Sequence, residues 1–113
     1  RLMVRYMIEG VQSQESCAGL VKNPHDRAEA LQPLFRKLGC TMTAYYFAVG
    51  MVKHYAIIES PQPIDPVTLD AMVVANIASG ATTSISITQI LTSAEMVESF
   101  KKVAEFGYKP PAA

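Results

Sequence analysis

The chain has 113 residues, of which 50% are hydrophobic and 18% are charged, and its ten acidic and ten basic residues cancel. This length predicts one domain with a single core, and this composition excludes an intrinsically disordered chain. Because positive charge is not in excess, the sequence lacks the electrostatic footprint of a protein that binds nucleic acid or an anionic membrane.

The sequence also indicates the cellular compartment in which the protein is expected. It has no apolar run approaching the roughly 20 residues of a membrane helix, and its N-terminal stretch is too short and too interrupted for a signal peptide. Cys17 and Cys40 are the only cysteines, which favours two free thiols in a reducing environment over a disulfide framework or a zinc site. We therefore expect a cytoplasmic protein with no membrane partner.

Alternating apolar side chains predict a first strand over residues 2–8, followed by a polar connection over residues 9–22. Asn23 predicts the N-cap of a first helix, and Gly39 predicts its end. Pro33 lies inside this helix, where it should produce a kink or remove one hydrogen bond.

The middle of the chain predicts a hairpin and a second helix. The strands cover residues 40–49 and 53–59 and are joined by a turn at Gly50. The centre of the third strand, YAII, is apolar on both faces, which is typical of a central strand. Asp65 before Pro66 predicts a helix start, and Gly80 its end.

The last part predicts a fourth strand, over residues 81–91, and a C-terminal helix. Strict alternation places one stripe of hydroxyl side chains on a single face of this strand: Thr82, Ser84, Ser86 and Thr88. Thr92 and Glu95 fit a capping box, Gly107 predicts the helix end, and residues 108–113 predict an extended tail.

The element order is therefore β-α-β-β-α-β with an extra C-terminal helix. This order predicts an α+β, ferredoxin-like domain over residues 1–107, with an antiparallel four-stranded sheet. The first and third strands should be central, and the second and fourth should lie at the edges. Helices on one face leave the other face of the sheet open and partly apolar, which predicts a homodimer or a larger homo-oligomer.

Two long segments, NPHDRAEALQPLFRKLGCTMTAYYFAVGMVKHYAIIESPQP and GATTSISITQILTSAEMVESFKKV, resemble the GYD-domain proteins, and the resemblance covers roughly residues 2–105. It implies a small protein of a mostly bacterial family without an established activity. It also implies a dimeric α/β barrel, in which two ferredoxin-like sheets face each other. The family's Gly-x-Tyr-Asp turn is expected at Gly50, but Val52 and Lys53 replace its Tyr and Asp. The resemblance therefore implies a fold and an assembly, and no catalytic residue.

The candidate ligand-binding residues are Arg5, Tyr45, His54 and Tyr55. His54 is either a general base or ligand contact at the mouth of a cavity, or a hydrogen-bonded or exposed residue near the hairpin turn. The tyrosines either line that cavity or pack as ordinary strand aromatics. Arg5 either meets a bound anion or pairs with a carboxylate such as Glu59.

No metal or cofactor is expected. His25 and His54 are not at metal-ligand spacing, and the glycines, interpreted as turn and cap residues, form no phosphate loop. The six methionines are interpreted as core filling.

Two functions remain open from the sequence. The first is a non-enzymatic homo-oligomer that binds a small molecule in a cavity between the sheet and its dimer partner. The second is a small-molecule enzyme that resembles the cofactor-independent monooxygenases of the dimeric α/β barrels. An enzyme should show a pocket with His54 or Arg5 beside Tyr45 or Tyr55 and a perturbed pKa. A purely structural role should leave these groups exposed or paired.

Overall fold

The computed structural model describes residues 3–50 and 52–112. Within them the elements are β1 (Val4–Gln12), α1 (Gln14–Lys22), α2 (Arg27–Lys37), β2 (Thr41–Phe47), β3 (Lys53–Ser60), α3 (Pro66–Ala78), β4 (Thr82–Ile90) and α4 (Ser93–Phe106). The strands form one open antiparallel sheet in the order β2-β3-β1-β4. The described chain is thus an α+β protein compatible with a ferredoxin-like topology, and the prediction that the first and third strands are central is confirmed. Three residues of the predicted elements lie outside the described part: Leu2, Met51 and Ala113.

Two of the predicted helix starts are confirmed by side-chain caps. The Asp65 carboxylate accepts a hydrogen bond from the Thr68 backbone N–H at 3.0 Å at the start of α3. At the start of α4, the Thr92 hydroxyl accepts from the Glu95 N–H at 3.0 Å, and the Glu95 carboxylate accepts from the Thr92 N–H at 2.7 Å. This reciprocal pair is the predicted capping box. Gly107 follows α4 with a φ of 60°, a left-handed conformation that favours glycine.

The predicted polar connection before the first helix is wrong. β1 continues to Gln12, and α1 follows at once, capped by Ser13. α1 spans only nine residues and contains Gly19, so its apolar pattern is too short to indicate a helix. The next helix, α2, is capped by Asp26 rather than by Asn23, because the Asp26 carboxylate accepts hydrogen bonds from the first backbone N–H groups of the helix.

The side chains of β1 and β3 alternate between two faces of the sheet. The face toward the helices, called the helix face, carries the buried residues Tyr6, Ile8, Gly10, His54, Ala56 and Ile58. The opposite face, called the open face, carries Arg5, Met7, Glu9, Val11, Lys53, Tyr55, Ile57 and Glu59, none of them fully buried. Phe35 of α2 and Met42 of β2 complete the core on the helix face. The structure thereby shows which side chains of the two central strands face the helices and which lie on the open face.

A β-bulge at Thr43 interrupts the alternation of edge strand β2. Met42 pairs with Ile58, but Ala44 already pairs with the next residue of β3, Ile57. The extra residue reverses the parity of the following side chains. Tyr45 therefore lies on the helix face with Met42, whereas strict alternation predicts opposite faces.

A second β-bulge changes the face of the sheet on which the first side chain of edge strand β4 lies. Val11 pairs with Ser84, but its neighbour Gln12 pairs with Thr82, so Thr83 is the extra residue. Thr82 consequently lies on the helix face opposite Gln12 and is buried. The prediction that Thr82 shares a face with the later hydroxyl residues of this strand is wrong, because the bulge turns it away from them.

The helices cover the edges of the sheet more than its centre. α2 packs on β2, and α3 packs on β4. The Gln32 side-chain amide fixes α2 in place, since it donates to the Met42 carbonyl and accepts from the Met42 N–H, both at 3.1 Å. α2 and α3 make little contact with each other. The space between them therefore lies over the central strands β1 and β3.

The C-terminal helix α4 stands apart from this body. The Arg5 guanidinium reaches Glu95 in its first turn at 3.2 Å, and residues 97–112 are all exposed. The radius of gyration is 17.6 Å, against about 13 Å for a compact chain of this length. Among the described helices, none combines the length and the apolar character needed to cross a bilayer.

Candidate functional site

A cavity of about 320 Å³ lies between the helix face of the sheet and helices α1, α2 and α3. Ile8 and Ala56, from the central strands, form its floor, and Leu34 and Ala75 face each other across the gap between α2 and α3. Both are exposed, which places the mouth of the cavity at that gap. This volume is at the lower end of the range for small-molecule sites, about 300–1,000 Å³.

The imidazole of His54 lies on the floor of this cavity. The residue is 6% exposed, and its Nδ1 atom has no hydrogen-bond partner within the described chain. Its ring lies parallel to the ring of Tyr45, with 5.7 Å between centroids. Burial, and next the positive charge of Arg27, lower the pKa of His54 below its usual 6.5. His54 is therefore neutral at neutral pH, with one nitrogen that donates and one that accepts.

The backbone beneath His54 is shaped to receive the ring. Gly10 of β1 is its cross-strand neighbour, and a Cβ at Gly10 would lie 2.6 Å from the His54 Cε1 and Nε2 atoms. Only glycine leaves room for the imidazole at this point. The interpretation of every glycine as a turn or cap residue is therefore wrong for Gly10, which lies within β1.

Two aromatic residues of β2 support His54 from the side. The Phe47 ring meets the imidazole edge-on at 6.3 Å and the Tyr45 ring edge-on at 5.4 Å. Burial raises the pKa of the Tyr45 hydroxyl, and the charge of Arg27 opposes that increase. Tyr45 consequently keeps its proton at neutral pH and offers a neutral phenol at the cavity wall.

Thr82 supplies a second buried polar atom. It is 5% exposed, lines the cavity, and its Oγ1 has no hydrogen-bond partner among the described residues. Gln12 and Ser16 also line this end of the cavity, but they pair with each other, since the Ser16 hydroxyl donates to the Gln12 Oε1 at 2.7 Å. A buried donor or acceptor without a partner costs about 1–3 kcal/mol. Among the described lining residues, His54 and Thr82 therefore hold the two buried polar side-chain atoms that lack a partner and that a bound molecule could satisfy.

The structure brings together two of the four predicted site residues. Tyr45 and His54 meet on the helix face and line the cavity. Arg5 and Tyr55 lie on the open face, on the other side of the sheet. Arg5 pairs with Glu59 at 2.9 Å, which confirms the carboxylate partner considered from the sequence. A ligand role for Arg5 and Tyr55 remains a prediction about the open face.

Sequence reasoning missed Arg27 and Thr82, which line the cavity, and Gly10, which lies beneath the His54 ring. Arg27 looks like an ordinary helix residue, and Thr82 looks like part of an exposed hydroxyl stripe. A signal existed only for Gly10, because a glycine inside an alternating strand can mark the close approach of another group. Recognising it required β1 to be extended beyond Ile8.

The cavity holds groups for binding or for proton transfer, and its described lining residues are uncharged at neutral pH except Arg27. Within residues 3–50 and 52–112, no cluster of three or more His, Cys, Asp and Glu side chains could hold a metal ion. Both cysteines are free, and burial raises the pKa of the Cys40 thiol, against a hydrogen bond with Ser60 that lowers it. Cys40 is thus a poor nucleophile.

Comparison with protein families, curated proteins and solved structures finds no match to this chain. The resemblance to the GYD-domain proteins therefore remains a prediction.

Proposed function

We propose that this protein is a binding module for a small, mainly apolar molecule, which occupies the cavity between the helices and the sheet. One observation carries the proposal: His54 Nδ1 and Thr82 Oγ1 are buried without partners in the described chain and line the same apolar space. Apolar walls with a few convergent polar groups are typical of small-molecule sites. A ligand with one or two hydrogen-bonding groups would satisfy both atoms.

Native mass spectrometry of the purified protein, compared with its denatured mass, tests this function. We expect extra mass that is lost on denaturation. Ala75→Trp should remove that mass, because Ala75 lines the mouth of the cavity and an indole there would fill it. Ala78→Trp is the matched control, since Ala78 lies exposed on the same helix and does not line the cavity.

The result that contradicts the proposal is equally specific. If the purified protein carries no extra mass, and a panel of naphthalene-sized aromatic compounds leaves the His54 ring signals in NMR unchanged, the cavity is not a binding site. If Ala78→Trp removes bound mass as fully as Ala75→Trp, the molecule binds elsewhere on α3.

We further propose that two copies of the chain assemble through the open face. Its centre is apolar, with Met7 beside Ile57 and Tyr46 beside Tyr55 in neighbouring strands. Burial of such a patch against an identical patch gives a closed two-fold dimer. The resemblance to the dimeric α/β barrels supports the same assembly, and a second cavity between the sheet and its partner remains a prediction of that resemblance.

A second candidate function, a cofactor-independent monooxygenase-like enzyme, is favoured by His54 itself. The combination expected of an enzyme is a pocket with His54 beside Tyr45 and a perturbed pKa, and this combination is present. A neutral imidazole can remove a proton from an activated CH2 group of a bound substrate. The resulting carbanion would pass its electrons to dioxygen, which leaves one oxygen atom in the substrate as a carbonyl and releases the other as water. Oxygen uptake in the presence of the compound released from the protein tests it. We expect His54→Gln to keep binding and to abolish uptake, and the absence of uptake by the unaltered protein would exclude this activity.

A further inference from the structure

Arg27 is the only charged residue, within the described chain, that lines the cavity. The walls around it are apolar: Ile8, Leu31, Phe35, Met72, Ile85 and Ile87. The other polar lining residues are uncharged at neutral pH, and no carboxylate is among them. The cavity therefore carries one positive charge and no described negative charge to balance it.

The position of Arg27 is unfavourable for a purely structural role. It is the first residue of α2, where the helix dipole disfavours a cation. No carboxylate of the described residues lies within 4.0 Å of its guanidinium. Its Nη1 contacts the ring Nε2 of His25 at 3.1 Å, which orients the side chain but does not neutralise it. A half-buried cation without a counter-charge is stabilised when an anion binds beside it.

The charge of Arg27 acts on the polar groups of the cavity. After burial, it is the second cause of the lowered pKa of His54, and it opposes the rise that burial causes in the pKa of Tyr45; the two rings lie stacked on the floor and wall. The residues that α3 and β4 present to the cavity, Thr68 and Thr82 among them, are uncharged. The positive charge of Arg27 therefore reaches His54 and Tyr45, and a negative charge bound beside these three residues is favoured.

We propose that the cavity binds a small apolar monoanion, an aromatic or alicyclic carboxylate whose acid group pairs with Arg27 while its ring lies against the apolar walls. This inference rests on the proposed binding function and adds the chemical class of the ligand. The two oxygens of a carboxylate match the paired N–H groups of a guanidinium. The cavity volume of about 320 Å³ suits a ligand of roughly 10–15 non-hydrogen atoms, since larger drug-sized molecules need larger pockets.

Isothermal titration with 2-naphthoate and with 2-naphthamide tests the proposal, because the two probes share a shape and differ in charge. We expect the carboxylate to bind about tenfold or more tightly than the amide, since hydrogen bonds between charged partners are substantially stronger than neutral ones. Arg27→Gln should remove this preference and Arg27→Lys should keep part of it. Arg36→Gln is the matched control, because it removes the same charge from the same helix at an exposed residue outside the cavity.

An NMR titration of the two histidines gives an independent readout. The carboxylate should raise the pKa of His54, because a bound anion favours the imidazolium, and the amide should not. Equal affinities for the two probes, or a preference that survives Arg27→Gln, would overturn the anion inference and leave the binding function intact. Failure of both probes to bind or to shift the His54 signals would overturn the anion inference, and together with the absence of extra mass in native mass spectrometry it would overturn the binding function as well.

Discussion

The contact between Gly10 and His54 makes a sharp prediction at the scale of single residues. Gly10→Ala adds a methyl group 2.6 Å from the imidazole, so the ring must move into the cavity. We expect a loss of about 1–3 kcal/mol in the free energy of unfolding, typical of an overpacked core, together with weaker probe binding. Urea unfolding and titration of the same samples measure both effects.

Gly19→Ala is the control for this substitution. A Cβ at Gly19 meets nothing within 4 Å, and Gly19 lies within α1, so the alanine should stabilise the protein by about 0.5–1 kcal/mol. If Gly10→Ala is tolerated as well as Gly19→Ala, the imidazole does not lie over the glycine.

The titration of His54 predicts how stability depends on pH. Its pKa is about 6.5 in the unfolded chain and lower in the folded protein. Below pH 6.5 the unfolded chain therefore binds more protons at this site, so the free energy of unfolding should fall as the pH falls through the folded pKa. Above pH 6.5 the contribution should be constant. Urea unfolding between pH 8 and pH 5 should show a shallower slope for His54→Gln, and equal slopes would contradict a buried neutral imidazole.

Single residues also explain why only part of the candidate site could be predicted from the sequence. Alternation assigns side chains to faces reliably in β1 and β3, and it places His54 on the face opposite to its neighbours Lys53 and Tyr55. In β2 and β4 a single extra residue, Thr43 or Thr83, reverses the assignment. Neither bulge has a glycine or another local signature in the sequence. The cavity wall formed by Tyr45 and Thr82 therefore follows from the tertiary pairing of strands.

At the scale of elements, the ends of helices are predicted well where they depend only on residues that are close in the sequence. The predicted starts of α3 and α4 are both correct, because each depends only on a capping side chain and a backbone N–H three residues later. The stop at Gly107 is correct for the same reason. α1 was missed because it spans only nine residues and contains Gly19, so it offers little of the repeating apolar pattern that identifies longer amphipathic helices.

The separation of α4 from the body predicts local rather than global effects of its cap. Thr92→Ala removes the acceptor of the Glu95 N–H and should cost α4 about 1 kcal/mol. Hydrogen exchange should become about fivefold faster in α4, while the amides of β1 and β3 keep their rates. Thr88→Ala, an exposed residue of β4 that caps no helix, should leave α4 unchanged. Faster exchange throughout the sheet would show that α4 belongs to the core.

At the scale of the whole molecule, the open face and α4 are both uncovered in the single chain. The apolar stripe of α4 remains exposed, with Phe100 at 64% and Phe106 at 81%, and the longest dimension is 57 Å. A monomer rarely exposes so much apolar surface. This shape favours the proposed homodimer, which would cover the open face and bring a second molecule within reach of α4.

Ile57→Asp tests that assembly. It places a charge at the centre of the open face, so a dimer should dissociate into monomers in light-scattering measurements. Probe binding should persist, since the cavity lies on the other side of the sheet, and any change in affinity measures the coupling between dimer formation and ligand binding. Val21→Asp is the control, because Val21 is an exposed apolar residue of α1 away from this face. A protein that is monomeric before any substitution would exclude the dimer.

The cavity and the proposed dimer surface share a single layer of backbone. His54 and Tyr55 are adjacent in β3 yet belong to opposite faces, and the same holds for Gly10 and Glu9 in β1. If the proposed dimer forms, the partner and the proposed ligand would bind to opposite sides of the same two strands, and the two equilibria can be coupled through them. If association multiplies ligand affinity by some factor, the ligand must strengthen association by the same factor. The protein would then report the concentration of its ligand through its oligomeric state.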